Sequence, residues 1–538
     1  MLQGGKTSAA AQTYRPVEEF TAPPPARGRD EMIDWYVDAF NRHDEELYPQ
    51  DITNDMAADW MRREIPLFEC ADPLLERVYY FRWWTFRKHI ATTPEGRIVT
   101  EFLPDVYWAG PYNSINCASA HHLAEARWLK GGRELVRDYV RFWFRGSGDE
   151  FSYSSWIVDA VWRYACIRDD RRFAVGMLDD FVRFYREVEN RNMTGYGLFW
   201  SHDDRDAMED SISGPGLRPT LNSYMAANAY AISRIARWAN RVDLADEYRA
   251  KGDVLVRLMR ERLWDPRSEF FKVLPLAERD DTLDAGGFSD IDASRNVREE
   301  IGYIPWMFGL TGPEHSDAWR FLNDPRHFAG AAGIRTAEAC HPRYMNRDKA
   351  HECQWNGPCW PFATTQTLDA MIQSARSGIV GIGVDDFMRE LRRYAAIHVR
   401  QAEDGSIVDW LDEDLDADTG VWLAREQLKA WGWREDKGGY ERGKDYNHSA
   451  FCDLIISGLA GVDVEDDTEG AVLTVKPLGR GAALPYWRLL GLPVGGRTVD
   501  VYYDAVGDRY GQGRGLCVRV DGAVLRDESA EPQVRYRL

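Results

Sequence analysis

The sequence predicts a mainly α-helical protein, built as a closed double ring of helical hairpins that ends in a small β module. Apolar residues recur at helical spacing through most of the chain from Arg29 onward. Helix follows helix for roughly 400 residues, which is too long for a single four-helix bundle. Strand-type alternation is confined to roughly the last 75 residues. We see no strict internal repeat, so a solenoid is disfavoured and a closed ring remains.

The helical stripes place large apolar side chains on one face at the i, i+3, i+4, i+7 spacing. In one stretch, Leu135, Tyr139, Phe142 and Trp143 share a face. The stretches predicted as helices are 133–145, 155–167, 173–187, 221–238, 244–263 and 383–400.

The chain is predicted to divide into three parts. Residues 1–28 are rich in Ala, Pro and Gly and read as a flexible arm. Residues 29–462 form the helical catalytic part, and 463–538 form a β domain packed on it. Strands are expected at 472–477, 498–503 and 516–520, followed by a hairpin turn at Asp521-Gly522.

Composition excludes several classes of partner. The 538 residues carry 67 Lys+Arg against 87 Asp+Glu, a net charge of −20. Nucleic acid and anionic membranes both require a positive surface, so neither is an expected partner. The N-terminus lacks the apolar segment of a secretory signal, and the eight cysteines form no CxxC pair. We therefore expect a cytoplasmic protein with free thiols. The oligomeric state is not readable.

Aromatic residues make up 13% of the chain, and many stand in polar surroundings. Aromatic faces beside hydrogen-bonding groups suit sugars, although most of these rings will be ordinary core. The densest polar candidate is the segment 200–224. It holds a cluster of carboxylates beside a rigid Gly/Pro loop that leads into a helix: Asp203, Asp204, Asp206, Glu209 and Asp210. Read without other information, this cluster is a functional loop, a solvated acidic turn or a calcium-binding loop, although its spacing does not match the EF-hand pattern.

Two further segments complete the candidate site. Residues 351–362 place Trp355, Asn356 and Trp360 around a Gly-Pro turn, where rings can stack on a sugar. Residues 409–425 hold a second carboxylate run, Asp412-Glu413-Asp414, about 200 residues after the first. Glycoside hydrolysis requires two such carboxyl groups, one to protonate the leaving oxygen and one to activate water or attack.

Other polar residues are candidates for substrate contact because they lie in aromatic or basic loop segments. They are Arg87, His89, Trp108, Tyr112, Asn113, Arg218, Asn222, Tyr224 and Lys444. No phosphate-binding loop, dinucleotide fingerprint, serine elbow or zinc-protease motif stands out. The Cys and His residues between 340 and 359 fit no common zinc spacing, so no metal and no cofactor are expected.

Three motifs, in this order, resemble those of the six-hairpin glycosidases. Ala207-Met-Glu-Asp-Ser is similar to the Gly-Met-Asp-x-Ser segment of that clan, and Trp355-Asn-Gly-Pro-Cys-Trp to its Trp-x-Gly-Pro-x-Trp motif. Asp412-Glu-Asp-Leu-Asp-Ala-Asp-Thr-Gly resembles its Glu-Asn-Tyr-x-Pro-x-Thr-Gly segment but lacks the Tyr and Pro. His448-Ser-Ala-Phe-Cys and the β region after it look like the end of bacterial mannosylglycerate-hydrolase-like members. The resemblance, closest to family 63 and trehalase relatives, covers roughly residues 75–530.

The resemblance implies an (α/α)6 barrel and an inverting, exo-acting glycosidase. Carried over by position, Glu209 is the general acid and Glu413 the general base. Asp206 and Asp210 are contenders for the acid, because Glu209 is followed directly by Asp210, and Asp412 is a contender for the base. The expected substrate is a small glycoside with a terminal sugar, α-linked glucosyl or mannosyl.

Three alternatives stay open at this point. A phosphorylase on the same barrel would use phosphate in place of water. A sugar epimerase would use histidines, such as His121 and His122. A non-catalytic carbohydrate-binding protein would keep the aromatic rings and need no paired carboxylates.

Overall fold

The computed structural model describes residues 28–279, 287–347, 351–379, 381–401, 406–467 and 470–538. The predicted arm, residues 1–28, lies outside the described residues apart from Gly28. The described part is mainly α-helical, which confirms the predicted class. Its helices are α1 (Arg29–Asn41), α2 (Ala57–Glu64), α3 (Pro73–Lys88), α4 (Ser119–Ala126), α5 (Gly132–Arg145), α6 (Ile157–Arg168), α7 (Arg171–Gly176), α8 (Leu178–Asn192), α9 (Pro219–Trp238), α10 (Val242–Arg262), α11 (Ile304–Met307), α12 (Pro361–Arg376), α13 (Val384–Ala396), α14 (Leu423–Ala430) and α15 (Phe451–Asp453).

The strands fall into short pairs in the loops and longer ones after residue 461. They are β1 (Leu67–Cys70), β2 (Ile90–Thr93), β3 (Gly96–Val99), β4 (Trp200–Ser201), β5 (Gly216–Leu217), β6 (Trp264–Asp265), β7 (Phe270–Phe271), β8 (Leu274–Pro275), β9 (Val399–Gln401), β10 (Ile407–Asp409), β11 (Val462–Asp467), β12 (Gly470–Val475), β13 (Tyr486–Val494), β14 (Arg497–Asp504), β15 (Gly515–Val520), β16 (Ala523–Asp527) and β17 (Val534–Arg537).

Contacts between helices run in a closed circuit. Helix α4 packs against α6, α6 against α9, α9 against α11, and α11 against α12. Helix α12 packs against the π-helical turn Leu454–Leu459, and α15, which leads into that turn, packs back against α4. Helices α5, α10 and α13 each pack against one member of the circuit, namely α4, α9 and α12. The buried apolar side chains of these elements form one large core cluster.

Local sequence explains where the helices begin. Asp72 caps α3, since its carboxylate accepts the backbone N–H groups of Leu74 and Leu75. Helices α9 and α12 begin with Pro219 and Pro361, where the missing N–H has no intrahelical partner to lose. These two proline starts matter for the site, because the loops that precede them carry its residues.

The predicted helix at 173–187 is divided in the structure. Helix α7 ends at Gly176, and α8 starts at Leu178. Gly176 lies near the start of the predicted stretch, and glycine is a poor residue inside a helix. His398, expected on the last helix at 383–400, lies beyond the end of α13.

The chain after residue 461 forms two antiparallel sheets. One has the order β1-β13-β14-β15-β16 and the other β11-β12-β17. The hairpin at Asp521-Gly522 is confirmed, with both residues at positive φ (46° and 93°) between β15 and β16. Strand β1, from near the start of the chain, adds to the edge of the first sheet, and this was not expected from its sequence. None of the helices among the described residues combines the length and the apolar character that crossing a membrane requires.

Candidate active site

A cavity of about 200 Å³ lies where several helices of the circuit begin. The loops that lead into α4, α6, α9, α12 and α15 supply most of its wall, so these loops meet at one end of the circuit. The carboxyl-bearing residues that line it are Glu101, Asp204, Glu209, Glu352 and Glu413. The aromatic residues are Phe102, Tyr107, Trp108, Tyr153, Trp355, Trp360 and Tyr446.

Glu209 reaches this cavity from the loop before α9. A turn at Asp203–Asp206 and a positive φ at Ala207 (55°) bring the chain round to it. Its side chain accepts a hydrogen bond from Trp355 Nε1 at 3.1 Å. Among the described residues no Lys or Arg forms an ion pair with Glu209. Burial, reinforced by the negative charge of Glu413, raises the pKa of Glu209 to about 8.

Three residues upstream, Asp206 has a different environment. Its carboxylate is fully buried and accepts the Nε–H of Arg218 at 2.6 Å. Arg218 also donates to the Gly214 carbonyl oxygen at 2.6 Å, so the pair fastens the loop to the start of α9. This arrangement holds the loop in place and leaves Glu209 as the loop's carboxyl group that faces the cavity together with Asp204.

Glu413 lies on the cavity wall in the loop after β10, and it forms an ion pair with Arg442. Arg442 is fully buried and also donates to Glu352 Oε1 at 2.8 Å, while Lys437 lies 2.9 Å from Glu352 Oε2. Burial raises the pKa of Glu413, and the Arg442 guanidinium opposes that rise. The two glutamates therefore differ in one respect that matters for chemistry: Glu413 has a cation beside it, and Glu209 pairs with none within the described part of the chain.

The segment Trp355–Trp360 links the two carboxylate loops. The backbone N–H of Trp355 donates to the Glu209 carbonyl oxygen at 3.0 Å. At its other end, Cys359 and Leu415 exchange two backbone hydrogen bonds, of 2.7 and 3.0 Å. The rings of Trp355 and Trp360 stack with centroids 4.5 Å apart. Because this segment is hydrogen-bonded to both loops, it fixes Glu209 and Glu413 on the same cavity.

Comparison with known proteins identifies the family. The model of the mannosylglycerate hydrolase MGH1-like glycoside hydrolase domain matches residues 111–449, which is more than half of the chain. The chain belongs to this glycoside hydrolase family. The resemblance to this glycoside hydrolase family seen in the sequence is confirmed.

The chain is also similar to several solved structures. A structure named "Sialidase" shares 32% identity with a TM-score of 0.83 over 94% of this chain and 44% of its own. This chain therefore spans less than half the length of that relative. The family 78 rhamnosidase of Bacillus sp. GL1 has the same kind of fold, with 14% identity and a TM-score of 0.50 over 85% of this chain and 41% of its own. The family 63 mannosylglycerate hydrolase from Thermus thermophilus shares 12% identity over 70% of this chain and 99% of its own, with a TM-score of 0.46. No curated protein sequence gives a significant match.

The structure brings five of the predicted site residues to one cavity: Glu209, Glu413, Trp108, Trp355 and Trp360. Asp210 lines a neighbouring cavity of about 480 Å³, which also reaches Glu209. Asp412 is buried behind Glu413, where it accepts the Glu413 N–H at 2.9 Å, and burial raises its pKa to about 7.

The other predicted contacts do not line the cavity, because their polar atoms are used elsewhere. Arg87 and His89 are buried against Gln50, Asn54 and the Asp445 carbonyl. Lys444 forms an ion pair with Asp44 at 2.6 Å. The remaining side chains hold loops or helices in place. Tyr112 bonds to Glu95, Asn113 to the Phe102 and Pro104 carbonyls, Arg218 to Asp206, Asn222 to the Phe199 backbone, Tyr224 to Gln366 and Asn356 to the Asn346 carbonyl.

Sequence reasoning missed the partners of the two glutamates. Arg442 lies outside the motifs, and Glu352 stands in the segment 351–362 without being singled out there. The fold brings Arg442 between Glu352 and Glu413. His448 was visible as the start of the last motif, but its role was not. His448, Glu101 and Cys117 meet in the cavity although they are far apart in the chain.

Proposed function

We propose that this glycosidase removes a terminal sugar from a small glycoside with inversion of the anomeric centre. Glu209 acts as the general acid, and Glu413 acts as the general base. The observation that carries the proposal is the pair of glutamates on one cavity wall with different electrostatic surroundings. Two carboxyl groups whose environments separate their pKa values are the usual basis for an acid and a base.

The proposed steps follow from these surroundings. Glu209, with a pKa of about 8, carries a proton at neutral pH and donates it to the glycosidic oxygen. The leaving group departs with that proton as an alcohol. Glu413, ionised beside Arg442, takes a proton from a water molecule that attacks the anomeric carbon from the opposite face. Trp355 places its N–H on Glu209, and the stacked Trp355 and Trp360 offer an aromatic surface to the sugar.

The dimensions of the site support exo action on a small substrate. The cavity of about 200 Å³ is on the scale of one sugar ring. The neighbouring cavity of about 480 Å³ shares Asp204, Glu209 and His351 with it, so a leaving group protonated by Glu209 has room there. Arg295 and Arg343 lie on that second wall, and both donate to backbone carbonyls.

We also assign the closed helical circuit to the inner ring of an (α/α)6 toroid. Its contacts close on themselves from α4 to α15, and additional helices pack against its members. The division at residues 462–463 between this toroid and the β domain remains our proposal as well.

An α-linked glucosyl or mannosyl group is the first candidate for the sugar, in keeping with the family match. A terminal acidic sugar is the second candidate. It is favoured by the similarity to the structure named "Sialidase" over 94% of this chain. Within the cavity, Arg205 and Lys437 are the cations on the wall that reach solvent, and a sugar carboxylate would require such partners.

The test is a hydrolysis screen followed by proton NMR. The panel contains α- and β-glucosides and mannosides, mannosylglycerate, glucosylglycerate, trehalose and a sialyl-lactose, each with wild type and Glu413→Gln. We expect one member to be cleaved by wild type alone, with the inverted anomer appearing first. Retained configuration would overturn the base assignment. Cleavage that requires orthophosphate would identify a phosphorylase. An epimerase based on His121 and His122 lacks support, because neither histidine lines the cavity and His122 bonds to Tyr139 and the Asn447 carbonyl.

A further inference from the structure

Glu101, Cys117 and His448 form a second cluster of polar side chains in the same cavity. Cys117 Sγ lies 3.1 Å from His448 Nε2 and 3.4 Å from Glu101 Oε2. His448 Nδ1 lies 2.8 Å from Glu101 Oε1. All three residues are buried, with relative exposures of 3%, 2% and 3%.

The cluster is assembled from separate parts of the chain. Glu101 follows β3, Cys117 precedes α4, and His448 precedes α15. Each residue offers one ligand atom, and these atoms all lie within 4.8 Å of one another. The fold thus brings a carboxylate, a thiol and an imidazole together at one point on the cavity wall.

The charge in this part of the cavity is unbalanced. In the described part of the chain, no Lys or Arg pairs with Glu101, and the His448 imidazole is the group beside it. Glu209 and Glu413 lie on the same cavity, and the nearby Arg442 is engaged by Glu413 and Glu352. A buried carboxylate needs a cation or several hydrogen bonds to be stable. A bound metal ion would supply that charge.

We propose that Glu101, Cys117 and His448 bind a zinc ion, with the fourth coordination position open to the cavity. Thiolate, imidazole and carboxylate are the ligands that zinc takes in proteins, and three protein ligands with one open position are typical of a reactive site. A tetrahedral zinc with sulfur at about 2.3 Å and nitrogen or oxygen at about 2.0–2.1 Å holds the sulfur about 3.5 Å from each lighter atom. The observed separations of 3.1 and 3.4 Å are close to these edges.

Binding releases the thiol proton of Cys117 to solvent, since the thiolate is the ligand. The open position faces the sugar pocket, where a hydroxyl or carboxylate oxygen of a bound ligand can complete the coordination. The zinc site does not depend on the proposed function, because the ligand atoms are in place without a substrate.

The same three residues also have the geometry of a thiol nucleophile activated by an imidazole. Their charges favour the metal. The Glu101 carboxylate lies 3.4 Å from the thiol sulfur, so the thiol has a negative group beside it. A reactive thiolate instead requires an electropositive surrounding.

A second cluster, His327, Glu338 and Cys340, provides an internal control. Its ligand atoms are also close together, but Arg298 donates to Glu338 Oε2 at 2.7 Å and already neutralises that carboxylate. Cys340 is exposed. We expect no comparable metal affinity there.

The test measures metal directly. The full chain is treated with a chelator, returned to zinc-free buffer, and titrated with zinc against a chromophoric indicator. We expect one zinc ion per chain, with proton release into the buffer. Loading with cobalt instead is expected to give the near-ultraviolet sulfur-to-metal absorption of a thiolate ligand.

Variants locate the ion. Cys117→Ser is expected to weaken zinc binding at least about tenfold and to abolish the cobalt–sulfur band. Cys353→Ser removes another buried cysteine of the same cavity and should bind zinc as wild type does, and so should Cys340→Ser. If thermal unfolding shows that Cys117→Ser is not folded, Glu101→Gln takes its place, with the same expected loss of affinity.

Three results would overturn the site: no zinc uptake by the wild type, unchanged affinity in both Cys117→Ser and Glu101→Gln, or rapid alkylation of Cys117 that zinc does not slow. The last result would establish a free nucleophilic thiol. Because the titration uses no substrate, its failure leaves the hydrolase proposal intact, and failure of the hydrolysis screen leaves the zinc site intact.

Discussion

Two loops of this protein carry runs of carboxylates, and the carboxylates of the two loops have different partners. The proposed base loop, residues 409–418, pairs several of its carboxylates with arginines, among them Asp409 with Arg77, Glu413 with Arg442 and Asp414 with Arg347. The acid loop, residues 203–211, pairs Asp206 with Arg218 and leaves Glu209 with a tryptophan N–H.

This difference explains how similar sequences acquire different roles. An adjacent cation favours the charged form of a carboxyl group, whereas burial without one favours the neutral form. We therefore propose that Glu209, with a pKa of about 8, keeps its proton at neutral pH, while Arg442 favours the ionised form of Glu413. The number of acidic residues in a loop does not determine which of them are protonated, because the protonation of each carboxyl group depends on its own partner.

Replacing each glutamate in turn is the strongest test of the proposed difference between Glu209 and Glu413. Glu209→Gln and Glu413→Gln should each lower kcat/KM on an unactivated glycoside by roughly 10²–10⁴-fold, which is the usual contribution of a positioned acid or base. The two variants should separate on an aryl glycoside with a good leaving group. That substrate needs no protonation, so Glu209→Gln should recover most of its kcat and Glu413→Gln should not.

The matched control for this experiment is Asp206→Asn, which removes the neighbouring carboxylate of the acid loop. It should lose folding stability and show no dependence of the loss on the leaving group. Recovery by Asp206→Asn instead of Glu209→Gln would move the acid to Asp206.

The arginine of each loop provides the next test. Arg442→Met leaves Glu413 and Glu352 buried without their shared cation, and breaking such a buried pair costs about 3–5 kcal/mol of folding free energy. The pKa of Glu413 should then rise, so the acidic limb of the pH–kcat/KM profile should move to higher pH. Arg218→Met should cost similar stability, measured by chemical unfolding, and leave that limb in place. An unmoved limb in Arg442→Met would argue that Glu413 is not the base.

The pKa of Glu209 predicts a smaller effect on stability. Its folded-state pKa of about 8 lies above the ordinary value of 4.5, so between these values the folded state binds more protons than the unfolded state. Stability from this group is complete below about pH 4.5 and is lost as the pH rises through about 8. In wild type, this group should lower the unfolding free energy by on the order of a few kcal/mol between pH 5 and pH 8.5. Glu209→Gln should remove that decrease. The surface variant Glu134→Gln should leave the pH dependence as in wild type.

The sequence predicts the helical class and most helix positions because amphipathic spacing is a local property. Leu135, Tyr139, Phe142 and Trp143 are buried on one face of α5 as expected. Strand β1 could not be predicted in the same way. It is four residues long, and its partner β13 lies more than 400 positions away. Only the folded chain brings the two together.

The same reasoning applies to the site. Glu209, Glu413, Trp355 and Trp360 stand in sequence motifs, and all four line the same cavity; their roles stay a prediction. Basic or amide residues in the candidate loops did not indicate which side chains line the cavity, because Arg87, Arg218 and Asn222 form internal hydrogen bonds. A side-chain donor can contact the substrate only when the fold leaves that donor without an internal hydrogen-bond partner. Whether it has such a partner depends on the three-dimensional contacts.

The smallest expected effect concerns the single hydrogen bond that Glu209 receives. Trp355→Phe keeps an aromatic ring against Trp360 and removes the Nε1–H that stabilises the Glu209 carboxylate. The loss of one such bond, worth about 0.5–1.5 kcal/mol, should raise the pKa of Glu209 by up to about one unit. The basic limb of the pH–kcat/KM profile should therefore move upward, with relative activity above pH 8 improved. Trp360→Phe changes the same stack without touching Glu209, so it should alter KM and leave the limb where it is. An equal shift in both variants would mean that the limb reports the sugar stack and not the proton on Glu209.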